Sequence, residues 1–70
     1  MPYVNVKLTN EQGGLTREQK AQLARKLTEA VVSVTGRGGE TCVVVIEEVP
    51  TDNYAIGGTT VTNIRSGGTA

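Results

Sequence analysis

The first strand-like signal is an alternation. Val4, Val6 and Leu8 are apolar, and Tyr3, Asn5 and Lys7 stand between them. A period of two predicts a half-buried strand over residues 3–9. Pro2 sits at its start, where proline is tolerated. Gly13-Gly14 then breaks the pattern in a loop. Beyond it the period changes. Thr16 followed three residues later by Gln19 is a capping box. Leu23, Leu27, Ala30, Val31 and Val34 recur at helical spacing. This predicts a helix from Thr16 to about Val34, closed by Gly36 in the left-handed conformation. Arg17, Glu18, Gln22, Arg25, Lys26 and Glu29 occupy the remaining surface. Mixed charge on that face argues for a core-facing helix and against a membrane-surface one.

After Arg37-Gly38-Gly39-Glu40, the run Thr41-Cys42-Val43-Val44-Val45-Ile46 has no alternation. It is short and rich in β-branched residues, so it is expected to be a strand buried on both faces. Strand, helix and strand make a βαβ unit with parallel strands and a right-handed crossover. One helix covers one face of a sheet. Val43 and Val45 point opposite to Val44 and Ile46, and the pattern offers no second helix. An uncovered apolar face is an association surface, so burial alone predicts an obligate oligomer. Past Pro50, Gly57-Gly58 permits a tight turn. Residues 59–64 are rich in Thr, Val and Ile and are expected to form a short strand or hairpin arm reaching toward a neighbour. Residues 66–70 read as a flexible tail. The expected class is α/β (α+β), with a single domain over residues 1–70.

Composition narrows the function classes. A chain of 70 residues buries only about 60% of its unfolded surface and needs support. Cys42 is the sole cysteine and histidine is absent, so neither an internal disulfide nor a zinc site is expected. Seven basic residues balance seven acidic ones, which leaves no electrostatic footprint for nucleic acid or an anionic membrane. There is no 18-residue apolar run for a transmembrane helix and no secretory pattern, so the expected compartment is the cytoplasm. Gly13-Gly14 lacks the Gly-Lys-Ser/Thr of a phosphate loop. Cys42 has no histidine to activate it as a nucleophile and reads as a small core residue.

Candidate chemistry gathers at the start of the chain. Aminopeptidases remove an initiator methionine when the next residue is small, and Pro2 qualifies. The exposed nitrogen is then a secondary amine, and an α-amino group titrates at about 7.7–8.0. Partial burial or a nearby cation lowers that value. The neutral amine is then a proton acceptor fit for general-base work. The competing reading of Pro2 is a plain strand start.

Taken together, these residues resemble the 4-oxalocrotonate tautomerase family of the tautomerase superfamily. The resemblance rests on Met1-Pro2, the first strand, the helix start Thr16-x-Glu18-Gln19-Lys20, the strand from Val43 to Glu48, and Asn53-Tyr54-x-Ile56-Gly57-Gly58. It covers nearly all of residues 1–65. The spacing around Gly13-Gly14 and Tyr54 looks most like the small DmpI-type branch. The resemblance implies a tautomerase-like βαβ protomer with a C-terminal hairpin arm, assembling into a homohexamer or a related oligomer. It implies an isomerase that interconverts keto and enol forms of 2-oxo or 2-hydroxydienoate acids, with Pro2 as general base and no cofactor. The small-molecule acid and further copies of the chain are then its only expected partners. Tyr54 matches an aromatic wall residue that keeps the site apolar; its alternative is ordinary packing.

Two positions depart from the family. The arginines that hold substrate carboxylates and polarise the carbonyl in the type member correspond here to Leu15 and Val43. A charge-assisted hydrogen bond is worth about 1.5–3 kcal/mol, so binding of a dicarboxylate in the type member's way is not expected. Arg37 lies close in sequence to the lost second-strand site, and Arg65 matches a C-terminal arginine of the family. Both are candidates to touch substrate, against the alternative of surface charge. Arg17 and Arg25 read as solvated helix residues. The same amine also serves decarboxylation and dehalogenating hydration in the superfamily. A non-catalytic oligomer that binds a metabolite or partner is the rival of a different class.

Overall fold

A computed structural model describes residues 1–67. The first strand, β1, spans Tyr3–Thr9, and the main helix, α1, spans Arg17–Thr35. The second strand, β2, spans Val43–Val49. β1 and β2 run parallel and pair residue for residue, from Tyr3 with Val43 to Thr9 with Val49. The ladder opens where Val43 N donates to the Pro2 carbonyl at 2.9 Å. The βαβ unit and the boundaries of β1 stand as the alternation predicts.

The helix is set by its ends. Gln19 N donates to Thr16 Oγ1 at 3.0 Å, and Thr16 N donates to Gln19 Oε1 at 2.9 Å. This reciprocal pair satisfies two donors that a bare helix start leaves open. At the other end Gly36, with φ 74°, donates its N–H to Val32 O at 2.7 Å. Val4, Val6 and Leu8 of β1 share the helix-facing side with Val44, Ile46 and Glu48 of β2.

Three expectations need correction. β2 begins at Val43, not Thr41, and runs on through Glu47 and Glu48 to Val49. Charge does not stop it, because Lys7 lies 3.9 Å from Glu47 and Lys20 lies 2.7 Å from Glu48. The expected arm is shorter than residues 59–64. It is a hairpin of β3, Ala55–Ile56, with β4, Thr59–Thr60, and then a second helix, α2, over Val61–Arg65. Thr60 turns the chain into that helix by accepting from Asn63 N at 3.3 Å. The chain also has a second helix that the pattern does not offer, yet β2 keeps one covered face within this chain, as one covering helix predicts. α2 packs beside the hairpin and the turn at Thr51–Asn53, so the sheet face carrying Tyr3, Val43 and Val45 stays uncovered. Of the expected tail, Ser66 and Gly67 close α2; residues 68–70 lie outside the described residues.

The protomer leaves much of its apolar surface in water. Val61 is the single buried hydrophobic residue among those described, at 6% exposure, while Tyr3 is 65% and Val34 86% exposed. A folded monomer of 7.4 kDa is expected to expose about 4200 Å², and this one exposes 5219 Å². Its radius of gyration is 15.4 Å, against about 11 Å for a compact domain of this length. Among the described residues, no helix is long and apolar enough to cross a membrane.

Candidate active site

Pro2 is half-buried at the start of the parallel pair, directly behind the ladder bond to Val43. The loop that leaves α1 closes over its ring. Gly38 has φ +91°, and a Cβ built there would lie 2.8 Å from Pro2 Cγ and 3.0 Å from Pro2 Cδ. Real Cβ atoms scarcely ever come that close, so only glycine allows the loop to lie against the ring at this distance. Pro2 and this loop line one cavity of about 360 Å³ with Met1, Val31, Thr35 and Arg37.

α1 supplies the other wall. Its C-terminal end brings Val31 and Thr35 to the cavity one turn apart. Thr35 Oγ1 lies 2.9 Å from both the Val31 and the Arg37 carbonyls, and Arg37 N points back at it from 3.4 Å. The hydroxyl thereby ties the first residues of the loop to the last turn of the helix and fixes where Arg37 begins. The Arg37 side chain is solvent-exposed and lines the cavity, with no carboxylate partner among the described residues. Met1 caps the mouth and is 95% exposed.

Of the four residues singled out from sequence, the structure brings two together. Pro2 and Arg37 share the cavity. Tyr54 and Arg65 lie beyond the other end of β2, past the turn at Thr51–Asn53. β1 and β2 each have seven residues, which puts the two ends roughly 20 Å apart. Tyr54 O accepts from Val61 N at 2.7 Å, anchoring α2. Arg65 Nε lies 2.5 Å from Glu11 Oε1, and Thr9 Oγ1 donates to the other Glu11 oxygen at 2.8 Å. The Arg65 hydrogen bond, with help from Thr9, holds the Glu11 carboxyl below its ordinary range. Glu48 behaves alike at the same end: Lys20 first, then the Leu15 N–H at 2.8 Å, lowers its pKa.

Thr35, Val31 and Gly38 belong to the cavity and were not singled out for it by the sequence reading. Thr35 follows Val31 by one helical turn, a spacing that was available, but only the fold shows that this end of the stripe faces Pro2. Leu15 and Val43, the two positions that replace family arginines, sit at opposite ends of the sheet. Val43 flanks Pro2, whereas Leu15 lies beside Glu48.

A family model described as tautomerase enzyme matches residues 2–64. A probable tautomerase of Dickeya dadantii is 46% identical over 65 residues, covering 93% of this chain and 94% of its own length. A 2-hydroxymuconate tautomerase of Bacillus subtilis is 50% identical over 58 residues, covering 83% of this chain and 89% of its own. The crystal structure of DmpI from Helicobacter pylori superposes with a TM-score of 0.84 at 40% identity, covering 89% of this chain and 98% of that one.

Proposed function

This chain belongs to the tautomerase enzyme family and is an isomerase of the 4-oxalocrotonate tautomerase type, and from that premise we propose that it ketonises 2-hydroxydienoate acids with Pro2 as its base. The observation that carries this reading is the cavity shared by Pro2 and the Arg37 guanidinium, which has no ion-pair partner among the described residues. Removal of Met1, whose exposure leaves it open to an aminopeptidase, frees the proline nitrogen as a secondary amine. Arg37 lines the same cavity, and a nearby cation disfavours a protonated amine. The neutral nitrogen takes the proton of the substrate's enol hydroxyl, and the resulting ammonium returns it to a carbon of the diene. Arg37 holds the carboxylate while charge moves through the conjugated system. The relative's name, 2-hydroxymuconate tautomerase, supports the 2-hydroxydienoate unit, although 2-hydroxymuconate itself is a dicarboxylate.

Tyr54 and Arg65 reach this chemistry only from another copy of the chain, because their own Pro2 lies at the far end of the sheet. A homo-oligomer, with a hexamer as the expected size, joins the end of one protomer to the start of the next. The uncovered face at Tyr3, Val43 and Val45 and the excess exposed area support assembly. Substituting Pro2→Ala tests the base. We expect kcat/KM for enol-to-keto conversion, followed by ultraviolet absorbance, to fall by about 100-fold or more. A Pro2→Ala enzyme working at near the wild-type rate would sink the mechanism.

A further inference from the structure

The charges around Pro2 specify more than a family reaction. Six residues line the cavity, and Arg37 brings the one cationic side chain among them. Thr35 is the one other side chain there with a hydrogen-bonding group, and its hydroxyl is already engaged with the Val31 and Arg37 carbonyls. Val31 and Gly38 bring no charged side chain, and the Pro2 nitrogen, freed by loss of Met1, is held for the proton transfer at the oxo or enol carbon. On its other side Arg37 borders a second cavity with Glu40 on its wall. A ligand reaching past the guanidinium meets a carboxylate there.

The remaining arginines do not supply a second positive charge. Arg25 precedes Thr35, the last residue of α1, by roughly 15 Å of helix rise. Arg17 is farther still, at the start of that helix. Arg65, when a neighbouring copy presents it, arrives with Glu11 already on its Nε, so the pair brings no net charge. A ligand carboxylate gains little from a guanidinium whose charge is already answered.

Resting on the tautomerase reading above, we propose that the substrate carries a single carboxylate, adjacent to its oxo or enol carbon, and an apolar remainder. Arg37 takes the carboxylate, and the rest of the molecule lies along Val31 and the proline ring. A second carboxylate at the distal end is left without a counter-charge in a mainly apolar pocket, and that is unfavourable. The site thus selects monoanionic 2-oxo acids and their dienols over dicarboxylates.

Binding separates this proposal from the reaction itself. 2-Oxohexanoate and 2-oxoadipate share a carbon skeleton and differ by a terminal methyl against a terminal carboxylate. Calorimetric titration of the Met1-processed protein is expected to give a Kd at least about tenfold lower for 2-oxohexanoate. Arg37→Gln is expected to raise that Kd about tenfold or more while leaving circular dichroism and assembly unchanged. Equal or tighter binding of 2-oxoadipate overturns the proposal. So does an unchanged Kd in Arg37→Gln, or the absence of heat from either acid. The companion assay is turnover of 2-hydroxy-2,4-pentadienoate. Preference for the monoacid without any turnover would sink the tautomerase reading and leave the charge selectivity standing.

Discussion

Where β1 and β2 end, Glu48 accepts from Leu15 N at 2.8 Å and pairs with Lys20 at 2.7 Å, and Glu11 holds Arg65. Where the same two strands begin, Arg37 shares the Pro2 cavity and forms no ion pair among the described residues. Both ends are built from loops flanking one helix, so the fold alone does not dictate the difference. At the finishing end each carboxylate ties a loop to another element: Glu48 joins β2 to the start of α1, and Glu11 joins the turn after β1 to α2. Those charges are spent on structure. At the starting end the loop is held by uncharged means, through the Thr35 hydroxyl and the close approach of Gly38. That leaves the guanidinium available to a ligand. An unpaired charge in a concavity is the pattern expected of a ligand site.

The largest effect on this contrast should come from Gly38. Alanine there is strained by its positive φ and also drives a methyl into the proline ring. Gly13 makes a control, because it has φ +85° and nothing within 4 Å of the corresponding Cβ. Both Gly38→Ala and Gly13→Ala should lose similar stability from backbone strain. Only Gly38→Ala should lose kcat/KM, by about tenfold or more, since small displacements at a reacting group are costly. It should also shift the acidic limb of the pH–rate profile, which reports the base. Equal activity in the two variants would mean that the loop merely rests on Pro2.

Next comes Glu48, at the opposite end. Its pKa is held below the ordinary carboxylate value of about 4.3 by Lys20 and then by the Leu15 N–H. A depressed folded value means that the unfolded chain binds more protons in the window between the two values. The stabilisation is therefore complete above about pH 4.3 and drains away as pH falls through the folded value. Glu11 contributes with the same sign. Glu48→Gln should lower the thermal midpoint at pH 7 and flatten its fall below pH 4.3, measured by circular dichroism. A midpoint that keeps the wild-type acid slope would place the linkage elsewhere. Activity at pH 7 should respond far less than it does in Gly38→Ala, because Glu48 is remote from Pro2.

Much of this fold was legible in the chain, for identifiable reasons. The alternation of Val4, Val6 and Leu8 located β1 because one face of that strand does look inward. Thr16, Gln19 and Gly36 marked both ends of α1 because capping is local chemistry. The arm was read less well. Thr59 and Thr60 suit a strand, but Thr60 caps Val61–Arg65 as a helix, and short segments of mixed propensity are decided by their neighbours. In the site, Pro2 was visible as chemistry and Arg37 as proximity in sequence. Thr35 and Gly38 were not, because their roles are contacts across the βαβ crossover. Tyr54 and Arg65 are expected at the site from the family resemblance, yet a single protomer holds them roughly a strand's length from Pro2, about 20 Å.

The smallest expected effect tests what covers the open sheet face. Lys7 lies 3.9 Å from Glu47, and both side chains are about half exposed in the protomer. Asn5 Nδ2 also donates to Glu47 at 3.0 Å, so the carboxylate keeps a partner if Lys7 is lost. An exposed pair of this kind is worth about 0–1 kcal/mol. Tyr3, Val43 and Val45 form the apolar half of the same face, toward Pro2, and Asn5, Lys7 and Glu47 form the polar half. If a second copy seats itself on the apolar half, the polar half stays wet. Lys7→Ala should then change stability by less than about 0.5 kcal/mol in denaturant titration. A loss near 3 kcal/mol or more would show Glu47 stranded in a buried interface, since breaking a buried pair costs about 3–5 kcal/mol. The covered area would then extend along the whole length of β1 and β2, from the Pro2 cavity to the paired charges at the far end.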